Sequence, residues 1–184
     1  MSGPWVGIDP GSVSTGIVVR HGNRLLWHTV VHREADEDVV RGVGVGPVYI
    51  ALVLCHVRIG WESHYSGVGG YIPSIAVEGV VRPNPHVNRK NGSAVIDPGP
   101  AIGTGMVLGA ILALYPRAVI VPPGGNGAGM LATYPHALIT PGEMRRGLNR
   151  PAGDTAAVRH CRSAWDVAGQ APIHYARRSA GRAS

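Results

Sequence analysis

Trp5-Val6-Gly7-Ile8-Asp9-Pro10-Gly11-Ser12-Val13-Ser14-Thr15-Gly16-Ile17-Val18-Val19 reads as strand, tight turn and strand, because apolar and β-branched residues flank a Pro-Gly-Ser cluster that can continue neither strand. Asp9 breaks the pattern. A carboxylate at the end of an apolar strand is expensive unless it is solvated, hydrogen-bonded or neutralised by a cation. Asp also caps its own turn readily, so a turn cap and a ligand are both open readings here. Lone acids at comparable places downstream decide between them.

Outward from this hairpin, the turn His21-Gly22-Asn23 leads into a third strand over Arg24 to Val31, giving a three-strand meander. The acids Glu34, Asp36, Glu37 and Asp38 and the glycines at 42, 44 and 46 form a loop that feeds one helix, Val48 to Trp61. Ser74 to Glu78 is a short buried strand that also ends in a carboxylate. Gly79 to Pro100 lacks periodicity and reads as a long basic loop. Ile102 to Leu114 is expected to be a buried helix and Ala118 to Val121 a fifth strand, which Pro122-Pro123-Gly124-Gly125-Asn126-Gly127 terminates. Residues 128–151 are mixed, with a short helix before Tyr134. A last helix starts at Asp154 or Thr155, either of which can serve as N-cap, and runs to about Arg178. Alternating strands and helices indicate an α/β sheet, expected as a single domain over 1–178 with a basic, disordered tail over 179–184.

A chain of 184 residues fits one domain and buries roughly 70% of its unfolded surface. Cys55 and Cys161 form no CxxC pair, and none of the nine histidines shows zinc-ligand spacing, so a reduced cytoplasmic protein is expected. No basic-then-apolar leader opens the chain. The longest apolar run, Ala101 to Tyr115, falls short of the ~20 residues of a membrane span. Net charge is +6 and the pI about 9.9, which points to an anionic partner and most economically to nucleic acid. Lys90 is the single lysine among 17 basic residues, so part of the arginine excess reflects a G+C-rich codon bias.

Three carboxylates sit where packing prefers an apolar or neutral group: Asp9, Glu78 and Asp166. By strand alternation Asp9 shares its face with Gly7, and Glu78 shares its face with Ala76, so small side chains leave open space beside each acid. Asp166 lies mid-helix among residues that otherwise look buried. Were the three to converge at about 4 Å, each pair would repel by roughly 4 kcal/mol at an effective dielectric of about 20. Such a cluster calls for cations, and hard oxygen ligands without matched Cys or His select magnesium or manganese.

Gly7-Ile8-Asp9-Pro10-Gly11 with Thr15-Gly16, then Ala76-Val77-Glu78, then Ser163-Ala164-Trp165-Asp166-Val167-Ala168 resembles the RuvC-type Holliday-junction resolvases of the ribonuclease H-like superfamily. The resemblance runs from about Trp5 to Ala171. It implies a five-stranded mixed sheet flanked by helices, an antiparallel three-strand meander plus parallel strands, with Asp9 and Glu78 on the central pair. It further implies a homodimer acting on a nearly two-fold-symmetric four-way DNA junction. The implied chemistry is phosphodiester hydrolysis by two Mg2+ or Mn2+ ions, with Asp9, Glu78 and Asp166 as catalytic metal ligands. One position departs from the pattern: where the family usually carries an acid or a histidine one turn before the last Asp, this chain has Ser163. His160 is an alternative, but six residues of helix place it about 120° around from Asp166. A helix start or bend near Cys161 is then required, and a solvated or capping histidine is the competing reading. Asp154 reads as an N-cap.

Arg82, Arg89 and Lys90 follow Glu78 and are expected to contact DNA phosphates, against the alternative of a merely solvated loop. Arg162, one turn before Asp166, reaches either a phosphate or that acid. Gly124, Gly125 and Gly127 are not followed by Gly-Lys-Ser or Gly-Lys-Thr, so they mark at most a loop that DNA approaches closely. Two rival functions remain. One is a branched-DNA-binding protein of the same fold without cleavage activity. The other is a small phosphate-binding protein similar to the actin, hexokinase and heat-shock ATPase superfamily, whose first hairpin also pairs Asp with Gly and Thr-Gly. That architecture needs a second comparable domain.

Overall fold

A computed structural model describes residues 3–34, 45–65, 74–80, 86–87, 94–95, 98–153 and 156–181. Strands β1 (Trp5–Asp9), β2 (Ser14–His21) and β3 (Arg24–His32) form the antiparallel meander. Helix α1 (Pro47–Tyr65) leads to β4 (Ser74–Glu78), which pairs parallel with β1. A two-strand pair, β5 (His86–Val87) and β6 (Ala94–Val95), interrupts the stretch expected to be irregular loop. Helix α2 (Gly99–Leu114) precedes β7 (Val119–Val121), which pairs parallel with β4. Short 3-10 turns at Leu131–Thr133 and His136–Leu138, helix α3 (Pro141–Arg145) and helix α4 (Ala156–Ala180) complete the order. The main sheet runs β3-β2-β1-β4-β7, the mixed five-stranded sheet expected from the meander and the parallel strands.

Alternation assigns the two sheet faces. Val6 and Ile8 of β1, Ile17 and Val19 of β2, and Ile75 and Val77 of β4 turn to one side, where Tyr49, Val53 and Val57 of α1 and Val107 and Ile111 of α2 cover them. The opposite side carries Val18, Ala76, Val119 and Val121, covered by Cys161, Ala164, Trp165, Val167 and Ala171 of α4. Helix α4 lies directly on β1 and β2. A Cβ at Gly7 would collide with the Ala164 carbonyl and Ala168, and one at Gly16 would fall on the backbone of His160. Gly7→Val therefore lowers stability by about 1–3 kcal/mol through overpacking, although valine favours strands. The check is the urea unfolding midpoint, and an unchanged or higher midpoint contradicts this contact.

Helix α2 is not buried as expected. It is apolar on all sides, yet Gly103, Val107 and Ile111 are its buried residues, and Ile102, Met106 and Leu114 are exposed. A helix in an outer layer turns one face inward, so an apolar run alone does not establish burial. Helix α4 extends from Ala156 past Pro172 to Ala180, two residues beyond the expected end. Asp154, Thr155 and residues 182–184 lie outside the described residues. Among the described residues no helix is long and apolar enough to cross a membrane.

Candidate active site

Asp9 and Glu78 end two adjacent parallel strands whose register pairs Ile8 with Val77, which sets the two acids side by side. The turn after Asp9 is held by other groups. Thr15, fully buried, shares a hydrogen bond of 2.8 Å with the Tyr49 hydroxyl, which donates to the Gly11 carbonyl at 3.1 Å. Asp9 is thereby left to pair across the fold, and its Oδ2 meets Nδ1 of His160 at 2.8 Å. Among the described residues it caps no turn amide.

The Glu78 carboxyl is raised above its ordinary value. Burial is the main cause and the neighbouring Asp9 charge the next, while hydrogen bonds from Ser163 and Asn126 oppose them. Ser163 Oγ donates to Oε2 at 2.7 Å and Asn126 Nδ2 to Oε1 at 2.9 Å. Two carboxylates side by side repel, and a divalent cation between them would relieve that repulsion.

Asp166 projects from α4, and its Oδ2 accepts two hydrogen bonds of 2.8 Å, from the Gly127 amide and the Tyr134 hydroxyl. Burial raises its carboxyl; these bonds and the Arg20 charge oppose the rise. Gly127 reaches it with φ of +76°, a conformation that suits glycine. Its role is therefore an amide aimed at a carboxylate rather than open access for DNA. Tyr134 has its hydroxyl pushed up to about 12, by burial first and then by the Asp166 charge, so it stays a donor.

Asp9, Glu78 and His160 are thus brought together, with Asp166 held by the 127–134 segment. Among the described residues no three His, Cys, Asp or Glu side chains lie close enough to hold a metal ion. The Asp9–Glu78 donor set nevertheless fits a hard divalent cation: oxygen ligands only, side by side and repelling. Arg82, Arg89 and Lys90 lie outside the described residues.

His160 is neither a cap nor simply solvated, and no helix start near Cys161 brings it in, since α4 already runs from Ala156. The 120° estimate holds for an isolated helix. Here α4 crosses the sheet, so the turn at His160 meets β1 while the turn at Ser163 meets β4, and neighbouring strands are about 4.8 Å apart. The close approach allowed by Gly16 was the available signal.

Arg162 reaches neither phosphate nor Asp166. It is fully buried, and its guanidinium makes 3.0 Å contacts with both Glu143 oxygens and a 2.7 Å bond to the Gly153 carbonyl. Glu143 is placed by a capping box, in which Thr140 Oγ1 accepts from the Glu143 amide while the Glu143 carboxylate accepts from the Thr140 amide. Thr140-Pro141-Gly142-Glu143 carries that signature openly in the sequence.

No family model matches the chain, and no curated protein matches it. Among solved structures, "T. thermophilus RuvC in complex with Holliday junction substrate" is similar at a TM-score of 0.53 and 21% identity, with 96% of each chain covered. A second, "Thermus thermophilus RuvC structure", is 22% identical at a TM-score of 0.49, with 96% of this chain and 97% of that one covered. The first establishes a likeness of fold.

Proposed function

We propose that this chain is a divalent-metal-dependent endodeoxyribonuclease that hydrolyses phosphodiesters in branched DNA, with four-way junctions as its substrate. The observation that carries this reading is the pair Asp9–Glu78 set side by side at adjacent parallel strand ends, beneath a helix that presents Asp166, in a fold similar to that of the RuvC–Holliday junction complex. Asp9 and Glu78 would hold the cation, and Asp166 would join them through Oδ1, which has no hydrogen-bond partner among the described residues. A bound divalent ion supplies Lewis-acid polarisation of the phosphate and a more acidic water. In the two-ion form of this reading, the same three acids would hold both ions.

The chain's own residues bind and orient. His160 fixes Asp9, and Ser163 and Asn126 fix Glu78. Arg82, Arg89 and Lys90, directly after Glu78 in the chain, contact phosphates flanking the cut. The four-way substrate presents two related strands, which a homodimer cuts one each.

Junction affinity, measured without metal, is expected to fall steeply between about 50 and 200 mM salt through counterion release. Replacing Arg82, Arg89 and Lys90 together by alanine should reduce the logarithmic salt slope by about 3, roughly one per lost phosphate contact. Salt-independent affinity would exclude a DNA partner.

A second reading, a branched-DNA-binding protein without cleavage, is favoured by Ser163 standing where the resemblance expects an acid or a histidine. Side-by-side binding and cleavage assays on one junction separate the two. ATP hydrolysis in the absence of DNA would instead support the phosphate-binding alternative.

A further inference from the structure

We propose that the segment from Asn126 to Tyr134 is a brace that aims two of the acids, Glu78 through Asn126 and Asp166 through Tyr134, and that both are positioning residues for the metal. The inference rests on the nuclease reading above. Asn126 turns its Nδ2 toward two groups that only accept, Glu78 Oε1 at 2.9 Å and the Pro122 carbonyl at 3.4 Å, which leaves its Oδ1 to accept from Gln170 Nε2 at 2.7 Å. Tyr134 is fixed in the same manner: its hydroxyl oxygen accepts the Gly129 amide at 2.9 Å, so its proton goes to Asp166 Oδ2. Gly127, between them, adds its own amide to that oxygen.

One short stretch of backbone therefore grips an acid of β4 and an acid of α4. It is itself pinned at both ends, by Gln170 of α4 and by the packing of Tyr134, which is 5% exposed, against the cluster of Leu131, Leu138 and Trp165. By occupying Oδ2 with two donors, the brace leaves Oδ1 of Asp166 as the oxygen available to a cation. Partners of this kind set ligand orientation, and their loss typically lowers metal affinity or activity by about 10–100-fold.

The test is Mn2+ binding to the full chain without DNA, followed by electron paramagnetic resonance, for wild type, Tyr134→Phe and Asn126→Ala. Each substitution is expected to raise the Mn2+ dissociation constant about 10–100-fold while metal-free junction affinity stays unchanged. A merely structural role would lower the melting temperature and leave the Mn2+ affinity of the folded protein as it was. Wild-type binding that both variants match overturns the brace and leaves the nuclease reading standing. A wild type that binds no Mn2+ overturns the nuclease reading, and the brace with it. Should Tyr134→Phe fail to fold, Asn126→Ala decides alone, since Asn126 sits half-buried in a loop, and affinity equal to wild type overturns the proposal.

Discussion

Asp9→Asn is expected to reduce junction cleavage by about a thousandfold or more while leaving junction binding within twofold of wild type. Several kcal/mol of charge stabilisation by a metal ion corresponds to that factor, at about 1.4 kcal/mol per tenfold. Asparagine is nearly isosteric and retains an acceptor for His160, whose Nδ1 lies 2.8 Å from Asp9 Oδ2. It lacks the negative charge that would hold a cation beside Glu78. Removing one of two crowded acids also removes a cause of the raised Glu78 carboxyl, so the variant should be at least as stable as wild type. A turn-cap role for Asp9 predicts the reverse, a loss of stability with cleavage scaled to the folded fraction. Single-turnover cleavage, gel-shift binding and thermal unfolding on the same preparation separate these outcomes.

Glu143→Gln is expected to destabilise the fold by about 3–5 kcal/mol, because it leaves the Arg162 guanidinium buried without its counter-charge. For a chain of this size the melting temperature falls by about 6–20 °C. Burial by itself would raise the Glu143 carboxyl, but the Thr140 backbone and hydroxyl and Arg162 outweigh it and hold the group at about 2, against an ordinary value of 4.5. A depressed folded-state value stabilises the protein fully above the ordinary value, and that contribution is lost as pH falls from 4.5 toward about 2. Wild type should therefore lose stability across that window, and the Glu143→Gln difference should shrink there. Replacing both partners with apolar residues, Glu143→Leu with Arg162→Met, should restore much of the loss, since a buried pair often adds little over good packing. Equal stability of Glu143→Gln and wild type at neutral pH would contradict the buried pair.

Strand alternation and turn residues made the meander, β4 and β7 legible, and with them the placement of Asp9 and Glu78. Gly7 and Ala76 do share the face of those acids, but the space they were expected to leave open is filled by α4, whose Ala164 carbonyl and Ala168 lie against Gly7 and whose Val167 and Ala171 pack with Ala76. What α4 contributes was harder to see. His160 and Ser163 serve different strands because the helix crosses the sheet, and an angular argument on one helix contains no crossing angle. Tyr134 and Glu143 were missed for a different reason. The 128–153 stretch is ordered by 3-10 turns and by a buried ion pair whose partners lie 19 residues apart, and neither leaves a period. Arg162 shows how misleading adjacency can be: one turn from Asp166, it is committed instead to Glu143. The exposed apolar residues of α2 likewise follow from its outer-layer position, which hydrophobicity does not report.

The most direct measurement is incubation of the purified protein with an end-labelled synthetic four-way junction, and with linear duplex of the same arms, in Mg2+ and in Mn2+. Metal-dependent nicks in two strands across the branch point, releasing nicked duplexes while the linear DNA stays intact, are the predicted result. Absence of cleavage in both metals, or equal cleavage of the linear duplex, would contradict a branched-DNA nuclease built on Asp9 and Glu78.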